Sequence, residues 1–300
     1  MIEREAPSNS PDAAHFDLAA SLPMAVRGEL GPLCASLVFG EPMSGALRDG
    51  DTTIGLTDID AYVPALFDGV RRIVPGVEPR ALMSQWSKFY FRAIAPAALA
   101  IAIVHGRTLT LDPAACGIVL RDGLPVRVRF APDSWVPPSP GDDASDVPPA
   151  SERFASLIHV HLPAAILAMH RASGVSQRVL WSNAGNLLEF IVAQMRKVPS
   201  LASRASSDYT WLFDGDAGFG QPADNPLYRT VRYVNPPSAA IATIAAPMRA
   251  RRVCCLRYQL AGKGTRCDEA LLCGACPLLL TMTPQQLQRQ RAMQAGGAPQ

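Results

Sequence analysis

The sequence lacks the features that mark several large classes of protein. Its first residues, MIEREAPSNSPDAAHFDLAASLP, contain neither a basic start nor an apolar run, so we expect no secretory signal. The formal net charge is only +2, which gives no reason to expect nucleic-acid binding. No G-x-G-x-x-G or G-x-x-x-x-G-K-[ST] motif occurs, so no nucleotide or flavin site is predicted. The apolar run 93–104 is too short to span a bilayer, and a buried helix is the simpler interpretation.

Cysteine is scarce as well, but most of it lies in one place. Of seven cysteines, five fall between residues 251 and 277, namely Cys254, Cys255, Cys267, Cys273 and Cys276. Such crowding indicates a disulfide knot, a zinc site or an iron–sulfur cluster. The other two, Cys34 and Cys116, lie far upstream, and we expect both to be structural thiols.

The three explanations differ in how well they suit the spacing. Disulfides are the least favoured, because a chain without export stays in a reducing compartment. A zinc ribbon needs two Cys-x-x-Cys knuckles, and only Cys273–Gly–Ala–Cys276 is one. The vicinal pair Cys254–Cys255 would point to opposite faces of an extended strand, which suits a larger inorganic core better than one ion. The spacing favours a cluster and leaves zinc open.

The runs RVCCLRY (252–258) and CGACPL (273–278) contain four of the clustered cysteines, and the runs SQWSKFY (84–90), LWSN (180–183) and NPL (225–227) lie upstream. The first two resemble the C-terminal signature of the FhuF family of siderophore-iron reductases. The three upstream runs are also similar to segments of that family. The resemblance implies a [2Fe–2S] cluster held by a Cys-Cys…Cys-x-x-Cys set.

The resemblance implies a ligand set in this chain. The expected ligands of the cluster are Cys254, Cys255, Cys273 and Cys276. Seventeen residues separate the pair from the knuckle, more than the family pattern has, and Cys267 within them is a candidate to replace one ligand. No catalytic residue beyond the cluster is expected.

Residues outside the cysteine segment are candidates for the substrate groove and for tuning the cluster. Trp86, Lys88, Trp181 and Asn183 are the predicted groove residues, although core packing is the alternative for Trp86. Asn183 lies three residues before Asn186, so a helix would let the two amides act together on one ligand or loop. Among the nearby arginines, Arg252 and Arg257 are the expected sources of positive charge that would raise the potential of the cluster.

The predicted function is a cytoplasmic siderophore-iron reductase that releases Fe(II) from an imported ferric siderophore, with the hydroxamate type expected. Its electrons would come from a separate donor, since no nucleotide or flavin motif is present. Peripheral association with the inner membrane or an importer stays open. Two other classes also stay open: a non-catalytic siderophore-binding or assembly protein with a structural metal, and a siderophore biosynthetic enzyme, which ranks third because it would need a nucleotide site.

The predicted fold is α+β, mainly helical, with a small antiparallel β region and a C-terminal cysteine-rich iron–sulfur segment. Apolar periodicity predicts helices over 57–74, 78–92 and 176–196, and a turn at Asp122-Gly123 predicts a hairpin. The predicted divisions are a disordered start (1–14), an N-terminal α+β domain (15–131), a Pro/Asp/Ser-rich linker (132–151), a helical domain (152–250), a [2Fe–2S]-binding segment (251–285), and a terminal helix and tail (286–300).

Overall fold

The protein is known from a computed structural model that describes residues 17–40, 48–138, 146–235, 247–262 and 266–296. The predicted disordered start (1–14), part of the predicted linker (139–145) and the last four residues lie outside this range. Within it, the fold is α+β and mainly helical, as the sequence predicts.

Eight α-helices lie within the described residues. They are α1 (Met24–Cys34), α2 (Ile59–Ile73), α3 (Pro79–Leu99), α4 (Ala150–Arg153), α5 (Leu162–Ser173), α6 (Gln177–Met195), α7 (Ala202–Tyr209) and α8 (Pro284–Gly296). Three π-helical segments adjoin them: Ala100–Val104 after α3, Ser156–His161 before α5 and Thr210–Asp214 after α7. The predicted helices 57–74 and 176–196 correspond to α2 and α6.

Helix α3 is the centre of the fold. The predicted helices 78–92 and 93–104 are one continuous element, because Pro96 lies inside α3 and the π-helical segment extends it to Val104. By length and composition Pro79–Val104 could cross a membrane, but 78% of its most apolar window is buried inside the protein. It therefore serves as a core helix, against which α1, α2, α5 and α6 pack.

Two sheets accompany the helices. The larger has four strands in the order β1 (Leu37–Phe39), β4 (Leu124–Phe130), β3 (Gly117–Arg121) and β2 (Thr52–Gly55). Its β1–β4 pairing is parallel and its other two pairings are antiparallel. The smaller is an antiparallel pair of β5 (Val231–Val234) and β6 (Met248–Arg251). The cysteine segment begins where β6 ends.

The predicted hairpin is confirmed as β3 and β4. Its turn, Asp122-Gly123, has positive φ at both residues, as the tightest hairpin turns require. A Cβ on Gly123 would lie 2.0 Å from the carbonyl oxygen of Ala65, so only glycine lets the turn pack on α2. Strands β1 and β2 were not predicted, and the alternating residues 108–111 form no strand.

One hydrophobic core joins the two sides of the predicted linker. It extends from Leu22 to Leu260 and includes residues of α3 and α6, which pack directly on each other. A buried ion pair adds to the junction: the guanidinium of Arg153 donates to both carboxylate oxygens of Asp208 and to the carbonyl of Ala102. The division into domains at 132–151 stays a prediction.

A smaller apolar cluster surrounds the cysteine segment. Its buried members are Met248, Leu272, Cys276, Leu279 and Leu287. Helix α8 closes this cluster through Gln290, whose fully buried amide accepts from the N–H of Leu272 and donates to the carbonyl of Ala270. The terminal helix therefore fixes the chain that leads into Cys273.

Candidate metal centre and adjoining cleft

The vicinal cysteine pair and the Cys-x-x-Cys knuckle lie side by side. At the end of β6, the N–H of Arg251 donates to the carbonyl of Ala275 inside the knuckle, at 2.9 Å. The knuckle itself is a turn in which the N–H of Cys276 donates to the carbonyl of Cys273. These two backbone bonds bring segments that are separated by seventeen residues into register.

The four predicted ligand thiols form a contiguous set, which we call the thiol row. Cys255 Sγ lies 3.6 Å from Cys273 Sγ. Cys276 hydrogen-bonds to both Cys273 and Cys254, which completes the row from Cys255 to Cys254. The predicted ligands are thus brought together. Within the described residues, no contact joins Cys267 to the row.

Close contact perturbs the ionisation of these thiols. Hydrogen bonds from Cys255 and Cys276 hold the pKa of Cys273 well below its usual range, and the charges of Lys88 and Arg251 act in the same direction. The hydrogen bond from Cys276, with another from the N–H of Leu256, lowers the pKa of Cys254 to about 7. The same thiol–thiol contacts, together with burial, raise the pKa of Cys255 and Cys276, so Cys254 and Cys273 are the members of the row that favour the thiolate, the form that binds metal.

The spacing within the thiol row can be compared with that of thiolates bound to a metal. Two thiolates on one tetrahedral metal lie about 3.8 Å apart, given metal–sulfur bonds of about 2.3 Å, so the Cys255–Cys273 spacing fits such a pair. Across the part of the chain that the structure describes, no group of three or more His, Cys, Asp or Glu side chains is arranged to hold a metal ion. A [2Fe–2S] core takes four cysteines, two on each iron, and the row contains four.

Helix α3 supports the row from behind. The hydroxyl of Ser84 and the amide of Gln85 both donate to the carbonyl oxygen of Cys255, at 2.8 and 2.9 Å. One turn further on, the Lys88 ammonium donates to Cys255 Sγ at 3.2 Å and to the amide oxygen of Gln85 at 2.6 Å. The SQWSK segment thus fixes the backbone at Cys255 and places a positive charge on its sulfur.

Helix α6 holds β6 through paired amides and arginines. Asn183 accepts from Arg251 at 2.7 Å, and Asn186 accepts from Arg249 at 2.7 Å. Asn183 and Asn186 lie on one face of the helix because they are three residues apart, and Arg249 and Arg251 lie on one face of the strand because they are two apart. Each asparagine can therefore face one arginine. The two amides thus act together on one strand, β6, where the sequence predicts one ligand or loop. Glu189 adds a buried carboxylate that binds the Arg249 guanidinium.

A cleft adjoins the row on the side of α6. It encloses about 550 Å³ and lies between α6, the chain before β5, and the residues just before Cys254. Trp181 and Tyr228 supply aromatic lining, and Arg178 and Arg252 supply charge. Val253 forms the wall next to the cysteine pair, and its carbonyl accepts from Ser182. We call this the arginine cleft.

The four predicted groove residues occupy four different places. Trp181 lines the arginine cleft, as expected. Lys88 lies against the thiol row, and Asn183 is 2% exposed and bonded to α3 and Arg251. Trp86 has no exposed surface; it stacks on Tyr90 and donates to the carbonyl of Gly123, which agrees with core packing and leaves it no place in a groove.

The structure also changes which cations face the thiols. The sequence favoured Arg252 and Arg257, but Arg252 is exposed at the cleft, whereas Arg251 is only 4% exposed and acts on the thiols. Sequence reasoning also missed Arg178 and Tyr228 in the cleft. No local pattern marks them, because the cleft forms only when α6 meets the chain before β5.

Comparison with known proteins gives three findings. A family described as "Ferric iron reductase FhuF-like transporter" matches residues 84–240. The ferric siderophore reductase of Escherichia coli (strain K12) is 23% identical over 201 residues, which are 67% of this chain and 67% of that protein. The solved structure of aerobactin synthetase IucC, from a hypervirulent pathotype of Klebsiella pneumoniae, has a TM-score of 0.45 and 16% identity. That similarity covers 63% of this chain and 38% of the synthetase.

Proposed function

Because the chain belongs to the FhuF-like ferric iron reductase family, we propose that it is a ferric siderophore reductase. It passes one electron to Fe(III) in a siderophore complex, and the product is Fe(II). Siderophores bind the hard ferric ion through oxygen donors and hold Fe(II) far more weakly, so reduction releases the metal. The electron comes from a separate donor, and the reaction takes place in the cytoplasm.

The observation that carries this proposal is the thiol row. Cys254, Cys255, Cys273 and Cys276 would hold a [2Fe–2S] cluster, which supplies one electron at a time when bound. The 3.6 Å spacing of Cys255 and Cys273 supports a shared iron, and the contacts of Cys276 extend the set to Cys254. Cys267 is left outside the ligand set.

Residues around the row prepare it for electron transfer. Lys88 and Arg251 place two positive charges against thiolates that carry net negative charge, which stabilises the reduced state. Ser84 and Gln85 fix the backbone of Cys255, and Asn183 fixes Arg251. Because these side chains are held in place, they need to move little when the charge of the bound cluster changes on reduction.

The matched variants Cys273→Ser and Cys267→Ser test the proposal. We expect Cys273→Ser to lose bound iron, visible absorption and ferric siderophore reduction, because one thiolate ligand is gone. Cys267→Ser should keep all three, since its thiol lies outside the row. Reduction is measured by trapping Fe(II) with a colour-forming chelator. Full reduction by Cys273→Ser would refute the proposal, and loss of the cluster in Cys267→Ser instead would refute the ligand set.

A further inference from the structure

The arginine cleft carries an uneven distribution of charge. Two of its lining residues, Arg178 and Arg252, are exposed guanidinium groups, and none of its lining residues is acidic. Among the described residues, the Arg252 guanidinium donates to the carbonyl oxygen of Tyr228 alone, at 3.2 Å, through one of its five N–H groups. A cleft with charge of one sign selects ligands of the opposite sign.

Among the described residues, no ion pair joins an acid to Arg178 or Arg252. Asp214 pairs instead with Arg229, at 3.8 Å, and Arg229 stacks over the ring of Tyr228, on the cleft wall. Asp224 lies between the lining residues Ala223 and Asn225, but it is exposed and is not itself part of the lining.

The cleft is also placed for electron transfer. Its wall residue Val253 directly precedes Cys254, and neighbouring Cα atoms are about 3.8 Å apart. The carbonyl of Val253 is held by the hydroxyl of Ser182, so the wall is fixed to α6. The aromatic rings of Trp181 and Tyr228 offer flat apolar surface for the organic part of a chelate. A ligand in the cleft would lie within one residue of the thiol row.

We propose that the arginine cleft binds ferric siderophores whose metal complex is anionic, as carboxylate or catecholate donors make it. Arg178 and Arg252 bind the charged oxygens, because guanidinium groups form charge-assisted hydrogen bonds with anionic oxygens. This inference rests on the proposed reductase function and names its substrate class. It differs from the hydroxamate type expected from the sequence, since a tris-hydroxamate complex of Fe(III) is neutral.

Redox-inert gallium complexes separate binding from electron transfer. The intact protein is titrated by calorimetry with a trianionic Ga(III) tris-catecholate complex and with a neutral Ga(III) tris-hydroxamate complex. We expect the anionic complex to bind about tenfold or more tightly than the neutral one, and its affinity to fall as salt rises. Equal affinity for the two complexes would overturn the proposal.

Variants locate the binding. Arg178→Gln and Arg252→Gln should each weaken binding of the anionic complex about tenfold, while Arg232→Gln, an exposed arginine outside the cleft, should leave it unchanged. Unchanged thermal unfolding establishes that each variant is folded. Unchanged affinity of both cleft variants for the anionic complex overturns the proposal. If these variants also accept electrons from the donor more slowly, the cleft is instead a docking site for the donor.

The two proposals fail in different ways. A protein that binds the anionic gallium complex through these arginines but reduces no ferric siderophore would refute the reductase function and leave the cleft assignment standing. A protein that reduces ferric siderophores but binds the gallium complexes without regard to charge would refute the cleft assignment alone.

Discussion

Lys88 is the residue that most directly sets the charge at the thiol row. Its ammonium lies 3.2 Å from Cys255 Sγ, and the Gln85 amide holds it there. We expect Lys88→Met to lower the reduction potential of the protein on the order of 50 mV, because the reduced state loses a stabilising positive charge. The potential is measured by a redox titration followed by absorption.

The matched control for this variant is Lys197→Met. Lys197 is also a lysine, but its ammonium contacts Gln194 on the exposed end of α6. Its replacement should leave the potential unchanged. Equal potentials for Lys88→Met and the unmodified protein, with the same iron content, would show that the Lys88 charge does not act on the row.

At this scale the sequence predicts the ligands but not their surroundings. The four cysteines are recognisable from spacing and from a family resemblance, and the structure brings them together. Trp86 and Lys88 were both assigned to a groove because they lie in one segment. Residues two apart on a helix point about 200° from each other, so Lys88 faces the thiols while Trp86 faces the hairpin. The sequence does not reveal which face meets the cysteine segment.

Helix α6 and the chain before β5 pack tightly at Gly185. A Cβ at this position would lie 2.7 Å from side-chain atoms of Thr230, a residue that lines the cleft. Alanine is the better helix former by about 1 kcal/mol, but here it would force the two elements apart. We expect Gly185→Ala to destabilise the protein by about 1–3 kcal/mol in urea denaturation.

The second variant Thr230→Gly tests whether this contact is the cause. Thr230→Gly removes the three Thr230 atoms nearest to the new Cβ. The double variant Gly185→Ala/Thr230→Gly should therefore lose less free energy of unfolding than the sum of the losses in the two single variants. Strict additivity of the two changes would argue against a clash at this point.

The elements themselves are predictable to different degrees. Helix α2 and the β3–β4 hairpin follow from periodicity and from one Asp-Gly turn. Strands β1 and β2 escape prediction because they are three and four residues long, too short to establish a period. Residues 108–111 alternate without a strand partner; Thr110 and Leu111 instead bond to Ser134 and Ser156. These two N–H groups are satisfied by a backbone carbonyl and a side-chain hydroxyl, not by a neighbouring strand, so alternation alone does not identify a strand.

On the scale of the whole molecule, His161 links the core of both halves. It is fully buried, accepts or donates one 2.5 Å hydrogen bond with the Tyr90 hydroxyl, and meets the ring of Phe130 edge-on. Burial lowers its pKa from 6.5 to about 4. The unfolded chain therefore takes up a proton near pH 6.5 while the folded protein does not, so stability is lost as pH falls from 6.5 towards 4.

This linkage predicts a measurable pH dependence. The free energy of unfolding should fall by up to about 3 kcal/mol across that range through His161 alone, at about 1.4 kcal/mol for each unit of pKa shift. Tyr90 and Cys116, its titratable neighbours in the core, have raised pKa values and do not titrate there. Urea denaturation of His161→Gln should show a shallower pH dependence than the unmodified protein. The same slope in both would refute the assignment.

Burial of this kind was not visible in the sequence. His159, His161 and His170 lie close together in the chain, and no sequence pattern there distinguishes a core histidine from a surface one. The structure distinguishes them because Ser156–His161 is π-helical, which changes the angle between successive side chains and turns His161 into the core. The single core that extends across the predicted linker was not visible in the sequence either, because it depends on the packing of α3 on α6, which are far apart in the chain.

The most direct test of the central claim is the spectroscopy of the intact protein. The protein is purified without oxygen, and its visible absorption and low-temperature EPR spectra are recorded before and after dithionite. The account predicts a red-brown protein that has no EPR signal when oxidised and gains one on one-electron reduction, as a [2Fe–2S] centre does. A colourless protein with stoichiometric zinc would contradict the account, because a redox-silent ion on the thiol row cannot reduce Fe(III).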